Sequence, residues 1–221
     1  MRELPTLMHH SFTLEGDTVR LRPLVESDFK TIRKWQDDRE VLQYVVPPKT
    51  NLKFIQKIIV YFVMKRVLEG TFKYYSNHGY CFIIEVAKKP VGILAAWQID
   101  SVDNIYRLPI IIGEKEYWGK GSGKDAVQVA TRFIFEELSG SKIIAGNIHK
   151  ENLRSLSLFK SGGFTGLSSQ EADYYTRMSQ PTEVVAGSAR VSKSADGLSG
   201  DLTTISLELT RSNWNLQAST S

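Results

Sequence analysis

The sequence predicts an α/β (α+β) fold in which a mixed, mostly antiparallel central sheet is flanked by helices. Three observations carry that expectation. Two strand-like runs, YCFIIEVA from Tyr80 and VGILAAWQI from Val91, are joined only by the short connection Lys88-Lys89-Pro90, the pattern of an antiparallel hairpin. A third apolar run, RLPIIIGE from Arg107, feeds a glycine-rich loop, an amphipathic helix and a further strand. The composition, 42% hydrophobic and 24% charged over 221 residues, is that of a globular chain long enough to bury a sizeable core, which excludes a fibrous or disordered body.

The elements follow in order. TVRLRPL, Thr18 to Leu24, alternates apolar residues with arginines and predicts a half-buried first strand. Ser27 offers an N-cap, and Phe29, Ile32 and Trp35 recur at helical spacing up to the acidic break at Asp37 and Asp38. A second helix is expected from Asn51 to Glu69, apolar through Leu52, Ile55, Ile59, Phe62, Val63 and Val67, basic on its other face, and stopped by Gly70. After the hairpin and the third run, Ala126, Val127, Ala130, Phe133, Ile134 and Leu138 trace a helix ending near Gly140. KIIAGNI then predicts a strand, and Leu153 to Ser161 a short helix. The segment from about 168 to 200 is rich in Ser, Ala and Gly and is expected to be a long loop before a last strand, TTISLELT. No internal repeat is evident, and one domain spanning 1–221 is the expectation.

A formal charge of +4 and a pI near 9.0 favour an anionic ligand but fall short of the basic density of a nucleic-acid binder, so nucleic acid is not predicted as a partner. The single cysteine, Cys81, sits among apolar neighbours and predicts packing rather than reactivity. No stretch approaches the length of a membrane span and no apolar leader opens the chain, so a cytoplasmic protein without membrane association is expected. His9 and His10 are adjacent, not spaced as ligands on one helix face, and no metal is expected.

The stretch YWGKGSGKDA, Tyr117 to Ala126, sets three glycines and two lysines between an apolar run and an amphipathic one, as phosphate-binding loops do. It is not a nucleotide P-loop: with Gly123-Lys124 as the G-K pair, Trp118 falls on the first glycine and Asp125 on the hydroxyl of G-x-x-x-x-G-K-S/T. Nor does it meet G-x-G-x-x-G, since a start at Gly119 puts Lys124 on the third glycine and the loop follows an antiparallel hairpin. What remains is a backbone cradle, Gly119, Lys120, Gly121, Ser122, Gly123 and Lys124, whose N–H groups meet an anion at a helix start, with the two lysines adding charge. The competing reading is a glycine turn that merely caps the helix.

Here the sequence resembles the GNAT superfamily of acetyl-coenzyme A-dependent N-acetyltransferases, in particular the branch of ribosomal-protein N-terminal and spermidine acetyltransferases. The family's R/Q-x-x-G-x-G/A motif aligns with Trp118, Gly121 and Gly123 in IIIGEKEYWGKGSG. Its second signature, N-x-x-S with a closing G-F, aligns with Asn152, Ser155, Gly163 and Phe164 in ENLRSLSLFKSGGF. VRLRPLVESDF matches the family's opening strand and helix, so the similarity runs from about Thr18 to Phe164. Two departures stand out: Trp118 replaces the usual Arg or Gln, and Phe159 holds the place where many members carry a tyrosine that protonates the departing thiolate.

The resemblance implies acetyl-CoA as co-substrate and a GNAT-like acyltransferase fold. It implies direct attack of an amine in a ternary complex, with pantetheine along the backbone of Ile110, Ile111 and Ile112. Acyl transfer needs a neutral amine, a stabilised oxyanion and a protonated leaving sulfur. Ser155 is the candidate acid by resemblance, against the alternative of an N-cap. The strand before the loop carries no carboxylate or histidine; Glu114, Glu116 and His149 are the nearby candidates for a base, each against a solvated surface role. Asn152 suits the pantetheine amides, and Arg154 and Lys150 the coenzyme phosphates. The basic second helix disfavours a polycationic acceptor and favours a peptide N-terminus or a small amine bearing carboxylate or phosphate, with Asp37, Asp38 and Glu40 as counterweight. A coenzyme-binding module without catalysis is the alternative class, a polyamine or amino-sugar acetyltransferase the alternative acceptor choice, and a homodimer is left open.

Overall fold

The computed structural model describes residues 10–44, 79–178 and 204–218. The expected helix over 51–69 and most of the 168–200 segment lie outside them. In chain order the described elements are β1 (Leu14–Glu15), β2 (Arg20–Pro23), α1 (Phe29–Asp37), β3 (Gly79–Val86), β4 (Lys89–Asp100), β5 (Ile105–Arg107) and β6 (Ile110–Ile112). Then come α2 (Ser122–Glu136), β7 (Lys142–His149), α3 (Leu153–Ser161), β8 (Thr165–Gly166), α4 (Ser169–Met178), β9 (Thr204–Thr210) and α5 (Arg211–Ala218). Their order in the sheet is β1-β2-β3-β4-β5-β7-β9-β8, with β6 pairing β4. Only β5 and β7 run parallel among the pairs described. The mixed, mostly antiparallel sheet flanked by helices is therefore observed.

The hairpin β3–β4 is tighter than its sequence suggests. Val86 pairs with Lys89, so the turn is Ala87-Lys88, both at positive φ (49° and 65°), the sign a two-residue turn needs at both positions to match strand twist. Lys89 and Pro90 already belong to the strand.

α1 starts differently from expectation. Its N-cap is Asp28 and not Ser27, which lies in a 3₁₀ turn over Glu26–Asp28. The Asp28 carboxylate turns back to accept from both terminal nitrogens of Arg22 (2.7 and 2.8 Å) and from the Val25 N–H (2.8 Å), while Arg22 Nε donates to Glu85 at 2.7 Å. That forked network ties the helix entrance to β2 and β3.

One helix occupies sequence expected to be loop, and another follows the last expected strand. The start of the supposed 168–200 loop is α4, opened by a reciprocal cap: Ser168 Oγ donates to Glu171 at 2.7 Å and the Glu171 N–H returns to Ser168 Oγ at 3.3 Å. Beyond β9 the chain turns into α5, where Thr210 Oγ1 accepts the Asn213 N–H at 3.3 Å and Trp214 packs on Phe135 with ring centres 5.3 Å apart.

Both faces of the sheet are covered. Phe82, Ile84, Leu94, Leu108 and Ile143 meet α2 and α3 through Val127, Ala130, Phe133, Ile134, Leu156 and Phe159. On the other face Cys81, Ile83, Ile93, Ala95 and Trp97 meet Ile32 and Trp35 of α1. Burial pushes the Cys81 thiol up to about 12, so it is an inert packing group at neutral pH. Among the described residues no helix is long and apolar enough to cross a membrane.

Candidate active site

The cleft arises from a split in the sheet. β5 and β6 hold one register against β4, Trp97 with Arg107 and Leu94 with Ile110, yet only β5 pairs with β7. The last link across is Leu108 N–H to Ile144 O at 2.9 Å. Just beyond it β7 is bulged against β9 between Ile144 and Gly146, and Gly146 sits at φ 98°. Bulges bend strands, and this one turns β7 away from β6. The Arg107 guanidinium fills the space a side chain at 146 would need, with Nη2 2.8 Å from an added Cβ. A cavity of about 860 Å³ results, bordered by β6, β7, the glycine loop and α3.

The alternation of antiparallel bonding fixes which backbone groups look into it. Ala95 N–H donates to Pro109 O at 3.1 Å and Gly113 N–H to Val91 O at 2.9 Å, so the intervening bonded pair is Ile93 with Ile111. The polar groups of Ile110 and Ile112 then point away from β4, into the cleft. Trp118 Nε1 takes one of them, the Ile112 carbonyl, at 2.7 Å. Among the described residues the rest form a short unpaired edge, a template for a strand-like ligand.

At one end of this edge stands the glycine loop. Gly119 and Gly121 have φ of 71° and 88°, a conformation that costs L-residues energy, and an added Cβ at either meets no atom within 4 Å. They face open space. The bonding ladder of α2 begins with Asp125 N–H to Gly121 O at 3.0 Å, so the amides of its first turn have no carbonyl of their own helix to meet. An anion is the natural partner for such amides. The helix is anchored by Asp125, whose carboxylate accepts the N–H groups of Thr18 (2.6 Å), Val19 (2.9 Å) and Asp17 (3.2 Å) and the Thr18 hydroxyl (2.8 Å). Burial pushes this carboxyl up, and those hydrogen bonds outweigh it, holding it below its ordinary value. Asp125 is thus a structural ligand of the β1–β2 hairpin.

Of the residues expected at the coenzyme site, Ile110, Ile111, Ile112, Trp118, Gly119, Gly121, Gly123, Lys124, Asn152, Arg154 and Phe159 line the cleft together with Ser155. Lys120 and Ser122 stand outside its lining, the first exposed and the second buried. Glu114 and Glu116 do not line it either. Glu114 accepts Trp35 Nε1 at 2.8 Å and Lys34 Nζ at 3.0 Å; the indole bond first, then the lysine, hold its carboxyl below the usual range despite partial burial. Glu116 pairs with Lys89 at the surface.

Asn152 caps α3, its side-chain oxygen accepting the Ser155 N–H at 3.2 Å. Ser155 is therefore not the cap. Its hydroxyl has no partner among the described residues, and it sits in the helix's first turn, where the field favours negative charge. Phe159, one turn on, is buried against Phe164 at 5.1 Å between ring centres. The Arg154 guanidinium lies 3.7 Å from the centre of the Trp118 ring.

On the α1 face of the sheet the cleft is walled by Val41, Gln43, Tyr44, Trp97, Asn147 and His149. None of these was singled out from the sequence except Trp97 and His149: Asn147 had the signal of a lone amide in an apolar strand, whereas Gln43 and Tyr44 carry none. Glu40 also reaches the lining, but Lys115 Nζ bonds it at 3.0 Å and Asp38 at 2.8 Å, so that acidic cluster is neutralised at its own edge. Among the described residues no group of His, Cys, Asp and Glu is placed to hold a metal ion.

Comparison with known proteins agrees with this geometry. Residues 18–165 match the model of the acetyltransferase (GNAT) domain. The fold is similar to that of spermidine N-acetyltransferase from Vibrio cholerae, solved with CoA and spermine (TM-score 0.59, 17% identity, 90% of this chain and 99% of that one). It is also similar to aminoglycoside acetyltransferase AAC(6')-Ib, solved with coenzyme A (TM-score 0.58, 13% identity, 91% and 99%). A GNAT-family acetyltransferase from Bacillus anthracis aligns with a TM-score of 0.53 at 15% identity, over 71% of this chain and 86% of that one. A family match over most of the chain, on a sheet split beside a glycine loop, places the protein: it belongs to the GNAT family of acetyltransferases.

Proposed function

We propose that the chain moves the acetyl group of acetyl-CoA to a primary amine by direct attack while both are bound in the split of the sheet. The observation that supports this most is the pairing of two unsatisfied backbone surfaces in one cavity, the Ile110–Ile112 edge and the first-turn amides of α2. A pantetheine arm carries amides that match the first, and a diphosphate matches the second. The glycine cradle fits that group, since Gly119 and Gly121 leave the space above them open.

The coenzyme supplies an activated thioester carbonyl. The chain's own part is positioning. Lys124 and Arg154 line the same end of the cleft and add positive charge beside the amides. Asn152 spends its oxygen on the Ser155 N–H, which leaves its amide donors for the ligand. Ser155 is assigned the hydrogen bond to the leaving sulfur, since Phe159, one turn on, offers no hydroxyl. Glu114 and Glu116, engaged by Trp35, Lys34 and Lys89, are given no proton-transfer role, and the amine's proton passes to water in the open cleft.

For the acceptor we favour a peptide N-terminus or a small amine with an oxygen-bearing neighbour over a polyamine, because Lys115 pairs with Asp38 and Glu40 and offsets the charge that cluster would offer a polycation. A coenzyme-binding module without turnover is the second reading, favoured by the same lack of a free carboxylate in the described lining. Calorimetry with acetyl-CoA followed by thiol release over a panel of peptides, amino sugars and polyamines tests all three. Binding with amine-dependent thiol release is expected. Binding without release selects the module, and no binding at millimolar coenzyme overturns the proposal.

A further inference from the structure

His149, the last residue of β7, lines the cleft. Beyond the bulge Ile148 packs into the core beneath α2 and α3, so alternation along the strand sends Asn147 and His149 to the opposite face, into the half of the cleft that holds Tyr44 and Trp97. The imidazole is fixed on two sides. Its ring stacks on Tyr44 with centres 5.6 Å apart and planes inclined by 28°, and its Nδ1 accepts the Glu151 N–H at 3.2 Å. The backbone is fixed as well, since the His149 carbonyl accepts the Asn152 N–H at 2.8 Å.

An amide N–H can only donate. The Nδ1 atom facing it must therefore present its lone pair, and a neutral imidazole with a lone pair on Nδ1 carries its proton on Nε2. Among the described residues no group bonds to Nε2. We infer that His149 is a specificity-determining hydrogen-bond donor for the acceptor, held in the Nε2–H tautomer by Glu151, and that it selects amines carrying a carbonyl or carboxylate oxygen close to the nucleophilic nitrogen. It is not the base: its one lone pair is spent on the chain's own backbone. This rests on the acetyl-transfer reading of the cleft, and it narrows the acceptor to a class that a peptide α-amine and a free amino acid share.

The first test needs no turnover. In ¹⁵N-labelled protein, long-range ¹H–¹⁵N correlations distinguish the tautomers, and a His149→Gln spectrum identifies the His149 signals among the four histidines. The expected result is the Nε2–H pattern of the neutral imidazole. An Nδ1–H pattern, or an average of the two, overturns the inference even if the protein binds acetyl-CoA.

The second test is kinetic. With a short peptide, a free amino acid and a plain alkylamine of matched length, His149→Ala is expected to lower the preference for the oxygen-bearing amines over the alkylamine by about three- to tenfold, the loss falling on KM rather than kcat. His149→Gln, whose amide still donates, is expected to recover most of that preference. A base would behave differently: kcat would fall on the order of a hundredfold for every amine, without rescue by glutamine. That outcome, or an unchanged preference, overturns the proposal. The peptide and amino-acid arms separate an amide carbonyl from a carboxylate as the group recognised. If wild type neither binds coenzyme nor releases thiol, the acetyl-transfer reading fails, while the tautomer measurement still decides the state of His149.

Discussion

The Arg154 guanidinium lies over the Trp118 indole, 3.7 Å from the ring centre, and the indole is itself pinned by its Nε1 bond to the Ile112 carbonyl at 2.7 Å. The chain thus puts a tryptophan where the family motif has Arg or Gln, and a cation from α3 rests on that tryptophan. A cation–π contact of this kind contributes about 0.5–2 kcal/mol, enough to keep a long side chain from wandering in solvent. Trp118→Ala is therefore expected to weaken acetyl-CoA binding about three- to thirtyfold although the lost group carries no charge. Arg154→Lys keeps the charge without the planar stack, and should lie between wild type and Arg154→Ala. Calorimetric affinities of the three variants check the order.

Ser155 and Asn152 separate two roles that look alike in sequence. Because Asn152 Oδ1 holds the Ser155 N–H, Ser155→Ala keeps the helix cap and loses only a hydroxyl. Its expected signature is a lowered kcat with coenzyme affinity and urea midpoint within error of wild type. Asn152→Ala should cost about 0.5–2 kcal/mol of stability through the cap, and coenzyme affinity besides. If Ser155→Ala loses stability and keeps kcat, the serine is a structural residue.

Glycines of the same short stretch should fail in different ways. At Gly121 a methyl meets no protein atom but forces an L-residue to φ 88°, a cost of about 1–2 kcal/mol, and it stands over the amides proposed to hold the diphosphate. Gly121→Ala should fold and bind coenzyme poorly. At Gly113 the methyl would sit 2.1 Å from Trp35 Cγ, in the wall where Trp35 bonds Glu114. Gly113→Ala should lower the melting temperature sharply. Melting curves with and without coenzyme distinguish them, since only the first is expected to lose the ligand-induced shift.

The parts of the fold that were legible in the sequence are those fixed by local periodicity and turn chemistry. Leu153 to Ser161 was expected as a helix and is one, and the β3–β4 hairpin and the strand–loop–helix–strand order are observed. The split between β6 and β7 was not legible, because it depends on a bulge at Gly146, a residue distant in sequence from the strand it abandons. RLPIIIGE was expected to be one run, and it becomes two strands at Leu108-Pro109, where pairing passes from β7 to open cleft. α4 was missed although its Ser168-x-x-Glu171 capping box was in plain view, hidden by the small-residue composition that follows. In the site, the glycine loop and Asn152 were visible as motifs. Tyr44 and Gln43 were not, since a wall residue on an irregular segment has neither period nor motif to mark it.

Asp125 offers a prediction in pH. Its carboxylate closes the β1–β2 hairpin onto the helix that carries the glycine loop, accepting three backbone N–H groups and one hydroxyl. Burial alone would raise its pKa, and the hydrogen bonds overcome that, so the folded value lies below the ordinary 3.8. A depressed folded value means that the unfolded chain binds the proton more readily, and stability from this group is complete above the unfolded value and lost as pH falls through the folded one. Urea midpoints taken from pH 6 down through pH 3 should fall for wild type below about pH 4. Asp125→Asn cannot accept all four donors with one oxygen, and is expected to be less stable at pH 6 by about 1–3 kcal/mol. Its midpoint should also fall less steeply over the acid range. Because the hairpin's anchor sits in the first turn of α2, the variant should lose coenzyme affinity at neutral pH even where it remains folded. An Asp125→Asn protein with wild-type stability and an unchanged acid slope would mean that the carboxylate does not hold the hairpin in solution.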